Sequence, residues 1–451
     1  MNNFTKLTER IFNESKKSGI NDVEIFYSQG RDLTIKVFEG EVDGYKLAEA
    51  EGLGLRGKFN KKMGYSYTEK VDETSIDFLV KSLIENAKNI DSKDREEIFE
   101  GAEKYRNINN FNQSLEEVEE IEKINFAKNL EKAALQLDDR IKSIQECVYG
   151  DGYSETIISN SKGLYIEDKS NLSYTYISVV AKEDEDIQSG FAYKVTNDFS
   201  EMNYKEIAKE AVEEAISMLG AKSIKSGKYP VILRNNAAAD ILEAFSSVFS
   251  AERVQKNLSL LKGKLSKKIA SEKISLIDNP FMENGYASSG FDGEGVPTKH
   301  KEMIRDGILK TYLYNIKAAL KDNVESTGNA NRSSYKSSIG ISPTNMYIKP
   351  GKSSLDELMK NINEGVIITD VQGLHSGLNP ISGDFSLSAQ GFFIRKGRKE
   401  QPINQITISG NFIELLQNVE EVGEDLRFGL PSNSYIGSPS LKIKHLDIAG
   451  E

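Results

Sequence analysis

Cysteine, histidine and long apolar runs are scarce in this sequence of 451 residues. It contains one cysteine and three histidines. The single thiol, Cys147, can form no disulfide within the chain, and such usage is typical of a reducing compartment. No apolar run approaches the length that crosses a bilayer, so we expect no membrane-spanning segment. The first residues mix acids into an amphipathic pattern without an apolar signal region, and a cytoplasmic protein is therefore expected.

The three histidines, His300, His375 and His445, lie too far apart along the chain to share one helix face. The sequence also has no H-E-x-x-H pattern, no cysteine pair and no acidic calcium-loop pattern. We therefore predict no metal site of a recognisable kind built by this chain alone. The glycine-rich segments FDGEG and GNANRSS lack the spacing of nucleotide-binding loops, so nucleotide binding is not predicted either.

Positive charge is also in deficit. The chain carries 58 basic and 69 acidic residues, a net charge of −11. This balance argues against an electrostatic grip on nucleic acid phosphates. A cluster of lysines in LLKGKLSKKIASEK is typical of a solvated surface. Cys147 lies in an alternating, strand-like segment, SIQECVYG, and a half-buried structural thiol is expected there rather than a nucleophile.

Apolar spacing at the start of the chain predicts a helix, a run of short strands and a second helix. The helices are expected over residues 4–18 and 72–90. Between them, residues 22–68 alternate apolar and polar positions in short runs that break at glycine and charged turns. This pattern is typical of an antiparallel meander.

The same order occurs again further along the chain. A long helix is predicted over residues 115–137, opened by a capping box of Ser114 and Glu117. A second meander and a helix over residues 204–219 follow. The polar stretch 100–114 is the predicted linker between the two successions. The repeated order indicates a duplicated topology without recognisable sequence identity.

The last part of the chain begins with a buried strand, YPVILR, and a helix predicted over residues 237–256. Beyond residue 274 the chain is rich in glycine and short strand-like runs. We predict an α+β protein in which helices flank antiparallel sheets. The expected domains are 1–110, an N-terminal α+β domain, 111–225, a central α+β domain, and 226–451, a mostly β domain.

Polar motifs concentrate in this last part. Asp292 and Glu294 lie in FDGEGVPTK, where two carboxylates could contact a substrate amine or only cap turns. Thr327, Asn329 and Arg332 lie in STGNANR, a candidate substrate-binding loop whose alternative is a loop held by its own hydrogen bonds.

A further candidate is the segment GLHSGLNPISGDF. His375 stands there between glycines that permit close backbone approach, and Asp384 follows a turn. A lone histidine is more often a structural residue than a ligand. Both interpretations of His375, as a structural residue and as a functional one, stay open.

These motifs, in this order, resemble the TldD/PmbA family. They are FDGEGVPT, IRDGILKTYLYN, STGNANR, PTNMYIKPG, LHSGLNPISGDFSLSAQGFFI, and ITISGN before VGEDLRF. The resemblance extends weakly over the whole chain, and the three-part division is similar to the family's. In the TldD branch, the helix after the first strand of the third domain carries H-E-x-x-x-H, which binds a catalytic metal.

In this chain the corresponding positions are Glu243, Ala244 and Val248, which cannot form that site. The departure is typical of the PmbA branch, also called TldE. The resemblance then implies a subunit of a peptidase that cleaves unfolded peptides, with no metal of its own and with zinc in a TldD-like partner. The older family description, a modulator of DNA gyrase, finds no support in this acidic composition.

Two other functions stay open at this point. The chain could be an autonomous homodimeric hydrolase that uses His375, Asp384, Asp292 and Glu294. It could also be a binding module that holds extended peptides without cutting them.

Overall fold

The computed structural model describes residues 3–91, 94–432 and 434–451. None of the helices in these ranges is long and apolar enough to cross a membrane. The elements of the first succession are α1 (Asn3–Lys17), β1 (Val23–Phe38), β2 (Glu41–Phe59), β3 (Lys62–Thr68) and α2 (Ile76–Asn89). Those of the second are α3 (Gln113–Glu116), α4 (Glu120–Leu137), β4 (Ile141–Asn160), β5 (Tyr165–Glu183), β6 (Asp186–Thr196) and α5 (Tyr204–Ser217).

The two successions build one antiparallel sheet in the order β3-β2-β1-β4-β5-β6. β1 pairs with β4 along most of its length, from Glu24 opposite Asn160 to Lys36 opposite Val148. The repeated order of helix, three strands and helix is confirmed. The two N-terminal domains expected from the sequence therefore share one sheet, and the division of the chain at residue 110 stays a prediction.

The helices cover only one face of this sheet. Alternate residues of β1, such as Ile25, pack with α1 and α2 in one apolar cluster. Further along the same strand, Leu33 and Ile35 pack in a second cluster with α4 and α5. Since side chains alternate between faces along a strand, Glu24 and Phe26 point to the opposite face. We call this the helix-free face.

The predicted capping box at Ser114 and Glu117 is wrong. Asn112 caps α3 by accepting a hydrogen bond from the backbone N–H of Ser114. α3 ends at Glu116, and α4 begins only at Glu120. Asn171 of β5 accepts from the Asn112 backbone at 2.8 Å and donates to Glu116 at 2.8 Å. These tertiary hydrogen bonds hold the first turn apart from the rest of the predicted helix.

In the part of the chain that the structure describes, five helices follow residue 226, with α7 after a short 3-10 turn. They are α6 (Asn235–Phe245), α7 (Ala251–Gln255), α8 (Ile316–Asp322), α9 (Leu355–Met359) and, near the end, a fifth short helix, α10 (Phe412–Gln417). The single helix expected over residues 237–256 is thus interrupted. At the interruption Ser250 is extended and bridges to Leu313.

The strands of this part form two six-stranded sheets and one small pair. They are β7 (Gly227–Leu233), β8 (Leu276–Asp278), β9 (Lys301–Arg305), β10 (Ile308–Leu309), β11 (Ala330–Asn331), β12 (Gly340–Ile341), β13 (Asn345–Ile348), β14 (Glu364–Gln372), β15 (Asp384–Arg395), β16 (Arg398–Asn411), β17 (Val419–Val422), β18 (Arg427–Phe428), β19 (Tyr435–Ser438) and β20 (Leu441–Ala449).

One sheet has the order β10-β9-β8-β13-β19-β18 and the other β16-β15-β14-β7-β20-β17. β16 also pairs with β20, which closes the second sheet on itself. The pairs are antiparallel except β13 with β19 and β14 with β7. The large apolar core of this part lies between these sheets and α6. The predicted α+β class, with helices flanking mainly antiparallel sheets, is confirmed.

Candidate functional site

The candidate site lies where the helix-free face meets the C-terminal part of the chain. Phe26, Ile158 and Leu164 of the N-terminal half pack there against Tyr335. A Cβ added to Gly54 of β2 would lie 2.5 Å from the Tyr335 carbonyl oxygen. Glycine is therefore required at this position for the two parts to approach so closely.

Asp292 organises the loop that approaches the helix-free face. One carboxylate oxygen accepts from the backbone N–H groups of Glu294 at 2.9 Å and Val296 at 3.0 Å. The other accepts from the backbone N–H of Ala330 at 2.9 Å. With its carboxylate occupied by three internal donors, the buried Asp292 joins the two loops that carry FDGEG and STGNANR.

Glu294 and Arg332 extend from these loops into a cluster of buried charges. Arg56 of β2 donates two hydrogen bonds to Glu24 of β1, at 2.8 and 2.9 Å, and one to Glu294 at 3.1 Å. Arg332 also donates to Glu24. The second oxygen of Glu294 accepts from the backbone N–H of Ile316 at 2.8 Å. We call Glu24, Arg56, Glu294 and Arg332 the junction cluster.

The junction cluster balances two carboxylates with two guanidinium groups. Burial opposes ionisation of Glu24, but Arg56 and Arg332 hold the pKa of its carboxyl below the usual value. Burial raises the pKa of Glu294, against the effect of Arg56, and burial with the charge of Glu294 raises the pKa of Asp292. The bidentate Arg56–Glu24 pair and the other buried ion pairs of the cluster are expected to fix geometry rather than to exchange protons with substrate.

The predicted substrate-binding loop is held by internal hydrogen bonds. Thr327 accepts from the backbone N–H of Tyr314 at 2.7 Å and donates to the Asn329 side-chain oxygen at 2.8 Å. Asn329 donates to Asp278 at 3.0 Å, and Lys301 makes an ion pair with Asp278 at 2.9 Å. The structure thus brings Thr327 and Asn329 into the same region as Asp292 and Arg332. The hydrogen bonds of Thr327 and Asn329 stabilise the loop itself.

Two adjoining cavities, of about 340 and 380 Å³, lie beside the junction cluster along the helix-free face. Ser154, Ser170 and Ser432 line both, so we treat the two as continuous and call them together the sheet trough. Asp292, Asn329 and Arg332 contribute to its wall. Three of the predicted site residues therefore border this trough.

Small and hydroxylated residues form the middle of the trough's floor, between Phe26 and Ile158 on one side and Leu172 and Tyr174 on the other. In the register of the sheet, Gly30 lies opposite Ser154, which lies opposite Ser170. At one end a Cβ on Gly150 would collide with the ring of Tyr174, which therefore lies flat across this glycine. Side chains of this size leave open space above the strands, and the serine hydroxyls can bond to a polar main chain.

Asp168 stands out in the wall of the trough. Burial raises the pKa of its carboxyl to about 6, against hydrogen bonds from Ser289 and the backbone of Lys169. Asp168 lies opposite Thr156 in the register between β4 and β5.

The trough lies beside α6 at Ser432, where its two cavities adjoin. Ser432 donates a weak hydrogen bond, 3.4 Å long, to Glu243 of this helix. Burial raises the pKa of Glu243, and burial with the charges of Asp370 and Glu243 raises the pKa of Asp240 to about 7. Arg427 counteracts part of this shift in Asp240 and pairs with Glu210 at 2.6 Å.

Three family profiles match consecutive stretches of the chain. They are described as PmbA/TldA metallopeptidase domain 1, central domain and C-terminal domain, and they cover residues 23–87, 113–219 and 226–450. The chain belongs to the PmbA/TldD metallopeptidase family.

Solved structures agree with this family assignment. A Thermotoga maritima protein, whose name proposes it as a modulator of DNA gyrase, is 35% identical and superposes with a TM-score of 0.92 over 99% of this chain and 100% of its own. TldE from Thermococcus kodakarensis is 25% identical with a TM-score of 0.91, over 98% and 100%. The metalloprotease PmbA of Escherichia coli O157:H7 is 28% identical over 73% of this chain and 70% of its own. These likenesses support the PmbA/TldE branch.

In this chain the residues at the family's metal-binding positions on α6 do not fit a metal ion. Ala244 has no donor atom, and Val248 is fully buried in the 3-10 turn that follows the helix. Only Glu243 of the three corresponding positions could bind a cation. Within residues 3–91, 94–432 and 434–451, no group of three or more histidine, cysteine, aspartate or glutamate side chains is arranged to hold a metal ion.

The two remaining predicted site residues lie elsewhere. His375 is exposed in the turn between β14 and β15. Asp384, at the start of β15, is also exposed and accepts from Asn411 at 3.0 Å. In the described part of the chain neither one hydrogen-bonds to Asp292 or Glu294, which are buried in the junction region. The catalytic role of these four residues stays a prediction.

The trough residues that belong to the N-terminal half were not predicted from the sequence. Asp168 lies in an alternating segment, GLYIEDKSNLS, in which even positions share one strand face. The alternation can be seen in the sequence. A carboxylate that shares a strand face with small hydroxylated residues is the signal that could have indicated this site. Which face is covered by helices, and which faces the C-terminal part, is decided by packing between distant segments.

Proposed function

We propose that this chain is the PmbA/TldE-like, metal-free component of a cytoplasmic peptidase complex. It holds an extended, unfolded peptide in the sheet trough, while a TldD-like partner supplies zinc. The observation that carries this proposal is that α6 offers no imidazole at the family's metal positions, although the trough passes beside it at Ser432, which donates to Glu243. The family relationship supports the peptidase role, and the lone, buried Cys147 is in keeping with a reducing compartment.

The dimensions of the trough support an extended ligand. From Asp168 to Tyr174 along β5 the floor is roughly 20 Å long at about 3.3 Å per residue, which matches about six extended peptide residues. The hydroxyl groups of Ser154, Ser170 and Ser432 can bond to main-chain amides of any sequence. The second cavity is lined mainly by apolar groups, among them Leu172 and Leu430. A folded protein presents its main chain already paired, so selection for unfolded peptides follows.

The experiment is to purify the chain alone and together with a TldD-like partner. We expect no stoichiometric zinc and no chelator-sensitive peptidase activity for the chain alone, and both for the mixture, with the metal on the partner. Glu243→Gln should leave the zinc content of the complex unchanged, because the zinc ligands are expected on the partner.

A matched control separates the other functions. His375→Ala should leave the activity of the complex unchanged, since His375 is exposed outside the trough. Tight zinc binding by the isolated chain would overturn the proposal. Intrinsic activity that His375→Ala removes without changing the melting temperature would favour an autonomous hydrolase instead. Peptide capture without cleavage, even with the partner present, would favour a binding module.

A further inference from the structure

Asp168 is a partly buried carboxylate of the trough whose side-chain donor is shared, in contrast to Asp292, which has three backbone donors, and to Asp32, which is exposed. The Asp168 side chain lies on the helix-free face and is largely buried, between Thr156 on β4 and Ser289 on the facing loop. Within the described ranges no lysine, arginine or histidine forms an ion pair with it. The neighbouring Lys169 points away and pairs with Glu155 at 3.4 Å.

The hydrogen bond from Ser289 is shared. Its hydroxyl lies 3.2 Å from the Asp168 carboxylate but 2.8 Å from the carbonyl oxygen of Phe291. A serine hydroxyl has one proton to donate, and the shorter distance favours the carbonyl. A partly buried carboxylate whose donors are a shared hydroxyl and the backbone N–H of Lys169 is still costly. A cationic group that enters the cavity would remove this cost.

We propose that Asp168 is a binding subsite for a primary ammonium group, carried by the N terminus of a peptide or by a lysine side chain. This inference rests on the proposed function and names a contact within it. A primary ammonium has three donors and no acceptor. One carboxylate with the Thr156, Ser170 and Ser289 hydroxyls nearby provides a matching set of oxygens. A divalent cation would require more carboxylate ligands than this wall offers.

The subsite gives the trough a direction. An ammonium group at Asp168 places the start of the peptide beside the junction cluster. The chain would then run along β5 past Ser170, which lines both cavities, to Leu172 and Tyr174, which line the second. A free N terminus would thereby set the register of the peptide along β5 and relative to Ser432, which donates to Glu243 of α6.

The test measures binding of fluorescent hexapeptides to the full-length chain, alone and with its TldD-like partner, by fluorescence anisotropy. Three probes are compared. The first has a free N terminus and no lysine, the second has an acetylated N terminus and no lysine, and the third has an acetylated N terminus and one lysine. Asp168→Asn is the variant. Glu167→Gln is the matched control, because it removes the same charge one residue away on the opposite, exposed side of β5.

We expect Asp168→Asn to weaken binding of an ammonium-bearing probe about tenfold or more, and Glu167→Gln to leave it unchanged. Acetylation should weaken binding to the unmodified chain by a similar factor and have little further effect on Asp168→Asn, because both changes remove the same contact. Binding of the acetylated lysine probe with the same dependence on Asp168 would identify a lysine side chain as the source.

Two results together would overturn the subsite. The free and the acetylated lysine-free probes would bind equally well, and Asp168→Asn would leave binding of the acetylated lysine probe unchanged. Peptide binding to the trough would then stand, and weaker binding of all probes to Tyr174→Ala would show it. If no probe binds even with the partner present, the proposed function fails and the subsite fails with it. The melting temperature of each variant checks that it is folded.

Discussion

Glu24 and Asp168 are two carboxylates on the same face of the same sheet, and their surroundings differ in kind. Glu24 accepts three hydrogen bonds from Arg56 and Arg332, and its pKa is lowered. Asp168 has only a shared hydroxyl and a backbone donor, and burial raises its pKa to about 6. Both lie where the N-terminal sheet meets the C-terminal part.

The difference separates structure from binding. A buried charge whose partners are all supplied by the chain stabilises one arrangement of the backbone. A buried carboxyl without such partners costs folding free energy, and chains retain such groups mostly at functional sites. The motif carboxylates that the sequence emphasises, Asp292 and Glu294, are of the first kind, whereas Asp168 is of the second. Arg332 pairs with Glu24, although its buried Nε has no hydrogen-bond partner in the described part of the chain.

The largest effect is expected in the junction cluster. Arg56→Met should lower the free energy of unfolding by about 3–5 kcal/mol, because it leaves Glu24 and Glu294 buried without their common partner. Urea unfolding followed by circular dichroism measures the loss. Arg395→Met is the control, since its ion pair with Glu400 is half exposed and should contribute little. Equal, small losses for both variants would show that the cluster does not hold the two parts together.

A stabilising change is expected at Asp168. Between pH 4 and 6 the unfolded state ionises this carboxyl while the folded state retains the proton, so stability is lost as pH rises through that window. Asp168→Asn removes this cost and should raise the free energy of unfolding at pH 7 by up to about 3 kcal/mol, with no gain at pH 4. The other charged residues that border this cavity, Asp292 and Arg332, are unchanged in the variant.

Urea unfolding at pH 4, 5, 6 and 7 measures this gain. Glu24→Gln should have the opposite sign at pH 7, since the lowered pKa of Glu24 marks a stabilising charge whose contribution is lost as pH falls. Destabilisation by Asp168→Asn at pH 7 would contradict the distinction between the two carboxylates.

The smallest effects concern two glycines on the helix-free face. A Cβ at Gly54 would meet the backbone of Tyr335, whereas one at Gly150 would meet only the ring of Tyr174. Gly54→Ala should therefore cost about 1–3 kcal/mol, as overpacking against a fixed backbone does. Gly150→Ala should change stability by less than about 1 kcal/mol but displace Tyr174 and weaken peptide binding. Thermal melting and anisotropy measure the two outcomes, and a larger loss for Gly150→Ala would reverse the assignment.

Much of the fold could be predicted because local patterns and tertiary structure agree. The helix predicted over residues 4–18 is α1, and the meander over 22–68 becomes three long strands. The predicted breaks at glycine and charged turns coincide with the turns at Gly40 and Lys61, both of which have positive φ. The predicted capping box failed where Asn171, distant in sequence, supplies stronger partners to Asn112 and Glu116.

The candidate site was only partly predictable. The motif loops were recognised, and Asp292, Asn329 and Arg332 do border the trough. Their main partners could not be foreseen, because Arg332 meets Glu24 across more than 300 residues of sequence. The position of Asp168 opposite these loops depends on the same long-range packing.

By itself the sequence determined the α+β class, the repeated order of elements and the absence of histidine on α6, because propensity, alternation and residue identity are local properties. Only the tertiary structure decided that the two repeats share one sheet, that Glu294 pairs with Arg56 while Asp292 accepts from three backbone N–H groups, and that Asp168 has no ion-pair partner in the described ranges. The physical reason is that charge compensation and burial depend on which distant surfaces meet, and no local pattern specifies that.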